Sequence, residues 1–408
     1  MNTQNPFFSK QLESQVVVTH GNGPYQNTFE ALKSITIQDI RGKRLLLKPN
    51  AGRVARCGEG ITTHPEVVAA AIDYFQEVGA EVAVGESPIT GVKTMDAFES
   101  TGIADVARKR NCPLIDMDAR PFVEVDIPQG QALHKLKLCP EVLEFDAIVS
   151  IPVMKMHMHT DVTLSVKNMK GCLWRRSKVQ LHMLPPVEGS DEKPINVAIA
   201  DMASVLRPHL AIIDGTICME GLGPSAGNPK AMDCVVVGVD GFAADSVTCR
   251  LMGTRAEDVP HLRMGAERGF GVIDLNKITV APEHWQNWCS DFIRPPQNLS
   301  IEFPNITVFD RNSCSACQST LLLFLKDFAD KIFDYLPDQD RLNIAIGKGN
   351  TDLPEKTLCI GNCTAGCKKN NPFVAGCPPV ASEILKELTG YTSLDPESDH
   401  KESDSETQ

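Results

Sequence analysis

Six cysteines close to the C-terminus have the density of a metal centre: Cys314-Ser-Ala-Cys317, then Cys359, Cys363 and Cys367 in CIGNCTAGC, and Cys377 in GCPP. Thiolates ligate iron–sulfur clusters and structural zinc, whereas disulfides are rare in a reducing compartment. Zinc favours two paired Cys-x-x-Cys knuckles, and only one such pair occurs here, so iron–sulfur is the leading expectation and zinc the alternative. Any of Cys359, Cys363 and Cys367 fits as a third ligand on spacing alone. The other eight cysteines are scattered singly, mostly in apolar surroundings, and read as small core residues.

A second concentration of chemistry lies in IPVMKMHMHTDVTLSVKNMKGCLWRRSKVQLH, residues 151 to 182. It holds Lys155, His157, His159, Lys167, Asn168, Lys170, Arg175, Arg176, Lys178 and His182, a local positive excess in a chain whose formal net charge is −12. Such an excess calls for an anionic partner, either a phosphate or carboxylate substrate or the acidic surface of a redox protein. His157 and His159 alternate and share one face of an extended chain, but no third metal ligand accompanies them, which favours hydrogen bonding or acid–base work. Lys155, His157 and Lys167 are the candidates for binding or protonating a substrate.

These groups need elements to position them. RLLLKPN (44–50), EVAVGES (81–87), PLIDMD (113–118), AIVSIPVMK (147–155), LAIIDGT (210–216) and CVVVGVD (234–240) are short apolar runs ending in polar residues, and helical patterns such as HPEVVAAAIDYFQEVG lie between them. That order predicts an α/β fold with a mainly parallel sheet and helices on both faces. Ligands of such sheets settle beyond the carboxyl ends of the strands. Those ends carry Lys48, Asn50, Lys155, His157, His159 and Asp214, and with Asn168, Lys170 and Gly223 they form the expected substrate-binding set. MEGLGPSAGNP (219–229) reads as a glycine turn or lid, not a dinucleotide fingerprint.

The boundaries expected are an N-terminal extension over 1–35, the α/β domain over 36–295, a smaller cysteine-rich α/β domain over 300–391, and a disordered acidic tail over 392–408. The acidic balance argues against nucleic acid, and no apolar run reaches the length of a membrane span. Without a secretory signal pattern, a cytoplasmic location is expected. No nucleophile elbow or Walker loop occurs.

The order KPN (48–50), THPEVV (63–68), GAEV (79–82), IPVMKMH (151–157), VTLSVKNMKG (162–171), Asp214-Gly215, GLGPSAGNP (221–229) and DGFAADSVTCRLMG (240–253) resembles the family known as domain of unknown function 362, over most of 40 to 255. The resemblance implies a cytoplasmic α/β domain, often joined to iron–sulfur modules, with no settled reaction. The family's lysine-x-histidine after the fourth strand is matched by Lys155 and His157. The cysteine pattern is similar, over a short stretch, to the cluster-binding pattern of the small subunits of nickel–iron hydrogenases. That similarity implies a [4Fe–4S] cluster on Cys314, Cys317, Cys363 and Cys377, with Cys359 and Cys367 in surplus as substitutes. An iron–sulfur protein with a redox or electron-transfer role is therefore expected, with a non-catalytic electron-transfer or maturation partner and a structural-zinc protein as alternatives.

Overall fold

The expected α/β architecture is present in the computed structural model, which describes residues 5–7, 14–295 and 303–391. The chain divides into two compact units, Met1–Pro296 and Gln297–Gln408. In the first, the strands are β1 (Ser14–His20), β2 (Arg44–Pro49), β3 (Glu81–Glu86), β4 (Leu114–Asp116), β5 (Val123–Asp126), β6 (Lys135–Leu138), β7 (Ala147–Ile151), β8 (Val153–His157), β9 (Asp161–Thr163), β10 (Leu210–Glu220), β11 (Asn228–Gly238) and β12 (Ile278–Ala281).

Ten of these strands make one sheet, ordered β12-β1-β11-β10-β7-β2-β3-β4, with β8 continuing beside β10 and β9 pairing with β8. Pairing is parallel along β10-β7-β2-β3-β4 and antiparallel where β11 meets β10 and β1. The run 147–155, expected as one strand, is broken at Pro152, which has no N–H to give to a ladder; β7 ends at Ile151 and β8 begins at Val153. The expected N-terminal extension needs correction as well. Residues 14–20 are a strand inside the main sheet and Gly23–Ser34 is a helix packed on it. Its Val-Val-Val alternation buries one side chain on each sheet face in turn, which makes it structural.

Period-two alternation divides the core into two layers. Leu45, Leu47, Ala147 and Val149 face the helices Gly23–Ser34, Pro65–Glu77, Thr94–Thr101 and Ile103–Lys109, while Leu46 and Ile148 face Pro194–Ala203, Gly241–Leu251 and Pro260–Glu267. The central strands are buried on both sides, as helices on both faces require. The glycine-bearing segment 221–227 is the tip of the β10–β11 hairpin.

The second unit has a four-stranded parallel sheet, β13 (Ile306–Asp310), β14 (Leu342–Ile346), β15 (Leu358–Ile360) and β16 (Phe373–Val374), in that order. Helices Ser315–Phe328 and Ala381–Thr389 complete an apolar core around Leu321, Phe324, Ile344, Ile360 and Ile384. The acidic tail expected over 392–408 lies outside the described residues. No helix among the described residues is long and apolar enough to cross a membrane.

Candidate functional site

Beyond the carboxyl ends of β2, β3 and β8, polar side chains are linked in one buried line. Parallel pairing sets the tips of β2 and β3 side by side, and there Lys48 Nζ donates to Glu86 Oε2 at 2.8 Å with both groups only 1 % exposed. Glu86 also accepts the backbone N–H groups of Ala51 (3.0 Å) and Ser87 (2.9 Å), so the carboxylate is fully engaged. Asn168 returns a hydrogen bond to the Lys48 carbonyl at 3.1 Å, and its Oδ1 accepts Asn50 Nδ2 at 3.0 Å. Asn50 Oδ1 in turn accepts Lys155 Nζ at 2.9 Å. Glu86, Lys48, Asn168, Asn50 and Lys155 are thus held as a single network that fixes the β2 and β8 tips against the short helix Ser165–Asn168.

That short helix owes its place to Asp245, which accepts the N–H groups of Ser165 (2.8 Å) and Val166 (3.0 Å) from within the helix Gly241–Leu251. Burial raises the Asp245 carboxyl to about 7 against the opposing effect of those bonds. Gly171 follows one turn later. A Cβ there would sit 2.4 Å from Lys48 Cε and 2.6 Å from Glu86 Oε1, so only glycine lets the segment close over the ion pair.

Next to this network lies a group of bases without acids. Lys155 Nζ donates to Asn50 Oδ1, to the carbonyl of Ile61 at 2.7 Å and to that of Pro224 at 3.4 Å. Lys167 Nζ donates to Thr163 Oγ1 at 3.1 Å, and Lys170 Nζ is bonded to His182 Nε2. All these partners are neutral. Burial pushes the Lys155 and Lys167 ammonium groups down to about 7 and holds Lys170 well below its ordinary range. His157 and His182 are held well below theirs, by burial first and then by the surrounding lysines. The rings of His157 and His159 are 5.9 Å apart, and those of His159 and His182 are 6.1 Å apart.

Two expected members have other work. Asp214 accepts the backbone N–H groups of His64 (2.7 Å) and Thr216 (3.0 Å), tying the β10 strand to the start of the helix Pro65–Glu77. Gly223 lies against the carbonyl of Met156, 1.9 Å from where a Cβ would stand, and its own carbonyl accepts Met158 N–H at 3.0 Å. It sets Pro224 O beside Lys155. Much of the segment 167–182 is packed rather than solvated: Lys167 and Lys178 are buried, and Lys178 is bonded to Ser87 Oγ and the Leu173 carbonyl with Asp118 at 3.8 Å. Only Arg175, Arg176 and Gln180 of that segment are exposed.

Sequence reasoning missed Arg53 and His261. Arg53 is partly buried, its guanidinium lowered by burial, and it repels Lys155. His261, on the helix Pro260–Glu267, is fully buried and held down to about 3 by burial and then by Lys167. Nothing in the local sequence marks either as part of the site.

In the second unit Cys314 precedes the helix Ser315–Phe328 and Cys317 lies in its first turn, while Cys363 and Cys377 come from the turns after β15 and β16. The structure brings these four sulfurs into one neighbourhood. The Cys317 thiol is pushed up by its hydrogen bond to Cys314, by burial, and by Cys314, Cys363 and Cys377 around it. Cys314, receiving that bond and the N–H groups of the helix start, is drawn down to about 6. A Cβ on Gly361 would stand 3.4 Å from Cys317 Sγ. Cys359 is buried in β15, its thiol pushed up to about 11 by burial and then by Cys367, whose Sγ–H donates to the Asn350 carbonyl at 3.3 Å. Among the described residues no group of three or more His, Cys, Asp or Glu side chains is arranged to hold a single metal ion.

A family model described as "Domain of unknown function (DUF362)" matches residues 45–250, just over half of the chain. A thylakoid-associated protein of Synechocystis sp. is 28% identical over 231 residues, which are 57% of this chain and 69% of that one. Among solved structures, the lactate racemase apoprotein from Thermoanaerobacterium thermosaccharolyticum is 11% identical with a TM-score of 0.36, covering 65% of this chain and 57% of its own. A Thermotoga maritima protein is 13% identical with a TM-score of 0.34, covering 61% of this chain and 60% of its own. The chain therefore spans less than two thirds of the length of either solved structure.

Proposed function

The chain belongs to the domain of unknown function 362 family, and from that premise we propose that its first unit binds an anionic small molecule in the crevice at the strand tips and exchanges protons with it. One observation carries this: Lys155 and Lys167 are buried, with neutral atoms as their hydrogen-bond partners. Unpaired buried cations cost several kcal/mol each, a burden that an anionic ligand would relieve. With values near 7, Lys155 and Lys167 stand where a group transfers protons best at neutral pH. Lys155 is positioned through Asn50 and the Ile61 carbonyl, while Lys170 and His182, both partly buried, lie nearer the surface. The test is a melt of the full chain with rising phosphate or sulfate. The wild type is expected to gain stability with either anion and a Lys155→Met variant to gain much less; equal gains would remove Lys155 from the site.

A specific observation supports a redox reading of the second unit. Cys314, Cys317, Cys363 and Cys377 converge at a helix N-terminus, where peptide dipoles favour thiolates and the net negative charge of a thiolate-ligated cluster. They would hold a [4Fe–4S] cluster, which when bound supplies single-electron transfer. Cys314 is already disposed to lose its proton, and Cys317 keeps its proton until a metal displaces it. Together the two units read as an iron–sulfur oxidoreductase acting on an anion, in a reducing compartment such as the cytoplasm. Anaerobic purification with iron, sulfide and zinc analysis tests this: about four irons per chain are expected, and one zinc without iron sinks it.

A further inference from the structure

Resting on the anion-binding proposal above, we infer that the crevice takes an anion that also bears a hydroxyl group, and that His261 and Asn196 recognise that hydroxyl. Neither residue belongs to the network of the strand tips. Helices Pro194–Ala203 and Pro260–Glu267 run side by side in the same direction, because Arg263 reaches Glu192 at one end, Arg268 reaches Asp201 at 2.6 Å at the other, and Met264 packs on Val197 and Ala200 between them. Asn196 and His261 therefore occupy the first turns of the two helices at the same end. The short helix carrying Lys167 and the turn carrying His182 both pack against Pro194–Ala203.

His261 is 0 % exposed and neither ring nitrogen has a hydrogen-bond partner. Asn196 is 2 % exposed and its Oδ1 has none. Buried polar atoms are almost always paired, so three unpaired ones at one end of two packed helices, beside a buried lysine, point to a ligand. Their chemistry narrows what it carries. A fully ionised phosphate or carboxylate only accepts hydrogen bonds. It satisfies Lys167 and one N–H of a neutral imidazole, but leaves the Asn196 amide oxygen and the second ring nitrogen unmet. Both of those need a donor. A hydroxyl accepts and gives at once: beside the anionic group it accepts the imidazole N–H and gives its one proton to Asn196 Oδ1 while Lys167 holds the charge, which pairs two of the three atoms where the anion alone pairs one. Lys167, with one partner in Thr163, still has ammonium protons to give.

The test uses the full chain and two matched pairs of probes in calorimetric titration: glycerol 3-phosphate against n-propyl phosphate, and glycerate against propionate. In at least one pair the hydroxylated member is expected to bind the wild type about ten-fold tighter or more, since a site built to pair a hydroxyl penalises its absence. Asn196→Leu should shrink that ratio to below about three-fold while leaving the hydroxyl-free member within about two-fold of wild type, and His261→Phe, which keeps a ring and removes both nitrogens, should shrink the ratio likewise. If one variant fails to fold, the other and the wild-type ratio still decide. Equal binding of both members of both pairs overturns the inference and leaves anion binding standing. No binding of any of the four overturns both.

Discussion

Replacing Lys167 by methionine should make the ligand-free protein more stable at neutral pH, an unusual direction for a change at a buried site. Burial holds its ammonium group at about 7 against 10.5 in an unstructured chain. Each tenfold step in that proton equilibrium is worth about 1.4 kcal/mol, so the burden reaches on the order of 5 kcal/mol. Methionine fills a similar volume without the charge but forfeits the hydrogen bond to Thr163 Oγ1, about 1 kcal/mol. A net gain of about 2–4 kcal/mol follows, in line with apolar replacement of other buried ions, and this raises the melting temperature by roughly 5–10 °C. The sign with pH is fixed. Between about 7 and 10.5 the unfolded chain holds the Lys167 proton and the folded chain does not, so wild-type stability rises with pH across that window. The advantage of the variant is therefore full at and below pH 7 and fades towards pH 10.5. Denaturation followed by Trp174, Trp285 and Trp288, which are all the tryptophans of the chain and all in the first unit, reads this at pH 7, 8.5 and 10. A variant less stable than wild type at pH 7, or an advantage that does not narrow with pH, would refute the claim that this cation is uncompensated.

Three further outcomes are expected. Gly171→Ala forces a methyl group against Lys48 and Glu86 and should cost about 3–5 kcal/mol by breaking a buried pair, while Gly52→Ala, where a Cβ meets nothing within 4 Å, should stay within about 0.5 kcal/mol; urea midpoints compare the two. Asp245→Ala orphans the N–H groups of Ser165 and Val166 and should lower stability by about 2–4 kcal/mol, with weaker anion binding because Lys167 and Asn168 ride on that helix. Cys363→Ser and Cys377→Ser should each cut the iron content of anaerobically purified protein severely, whereas Cys359→Ala should leave it near wild type, since Cys359 is buried within the strand β15.

The strand tips were legible because a buried parallel strand reads as an apolar run, and its first polar residue marks the crevice; Lys48, Asn50 and Lys155 emerge that way. The element order likewise anticipated a mainly parallel sheet with helices on both faces. Pairing was not legible. Lys167 and Lys178 look alike in sequence, yet Lys178 lies near Asp118, sixty residues away in the chain, and Lys167 has only a threonine hydroxyl. Residues 14–34 carry the same alternation as any short strand and helix, but their sheet partner, β11, lies some two hundred residues later, so they were read as an extension. His261 sits in PHLRMGAE, an ordinary amphipathic helix whose histidine gains meaning only from the neighbouring helix and Lys167. Gly171 was noticed as part of a motif; only the Lys48–Glu86 pair beneath it explains why no side chain fits.

The central claim is that buried, uncompensated bases await an anion, and proton uptake on binding measures this most directly. Sulfate is the best probe because it has no proton of its own to exchange near neutrality. Lys155 and Lys167 are largely neutral at pH 8, and an anion beside them restores their charge. Calorimetric titration of the full chain with sulfate at pH 8, in buffers of different ionisation enthalpy, should show saturable binding with uptake of about one to two protons per site. Absence of saturable binding, or binding whose heat is the same in every buffer, would contradict it.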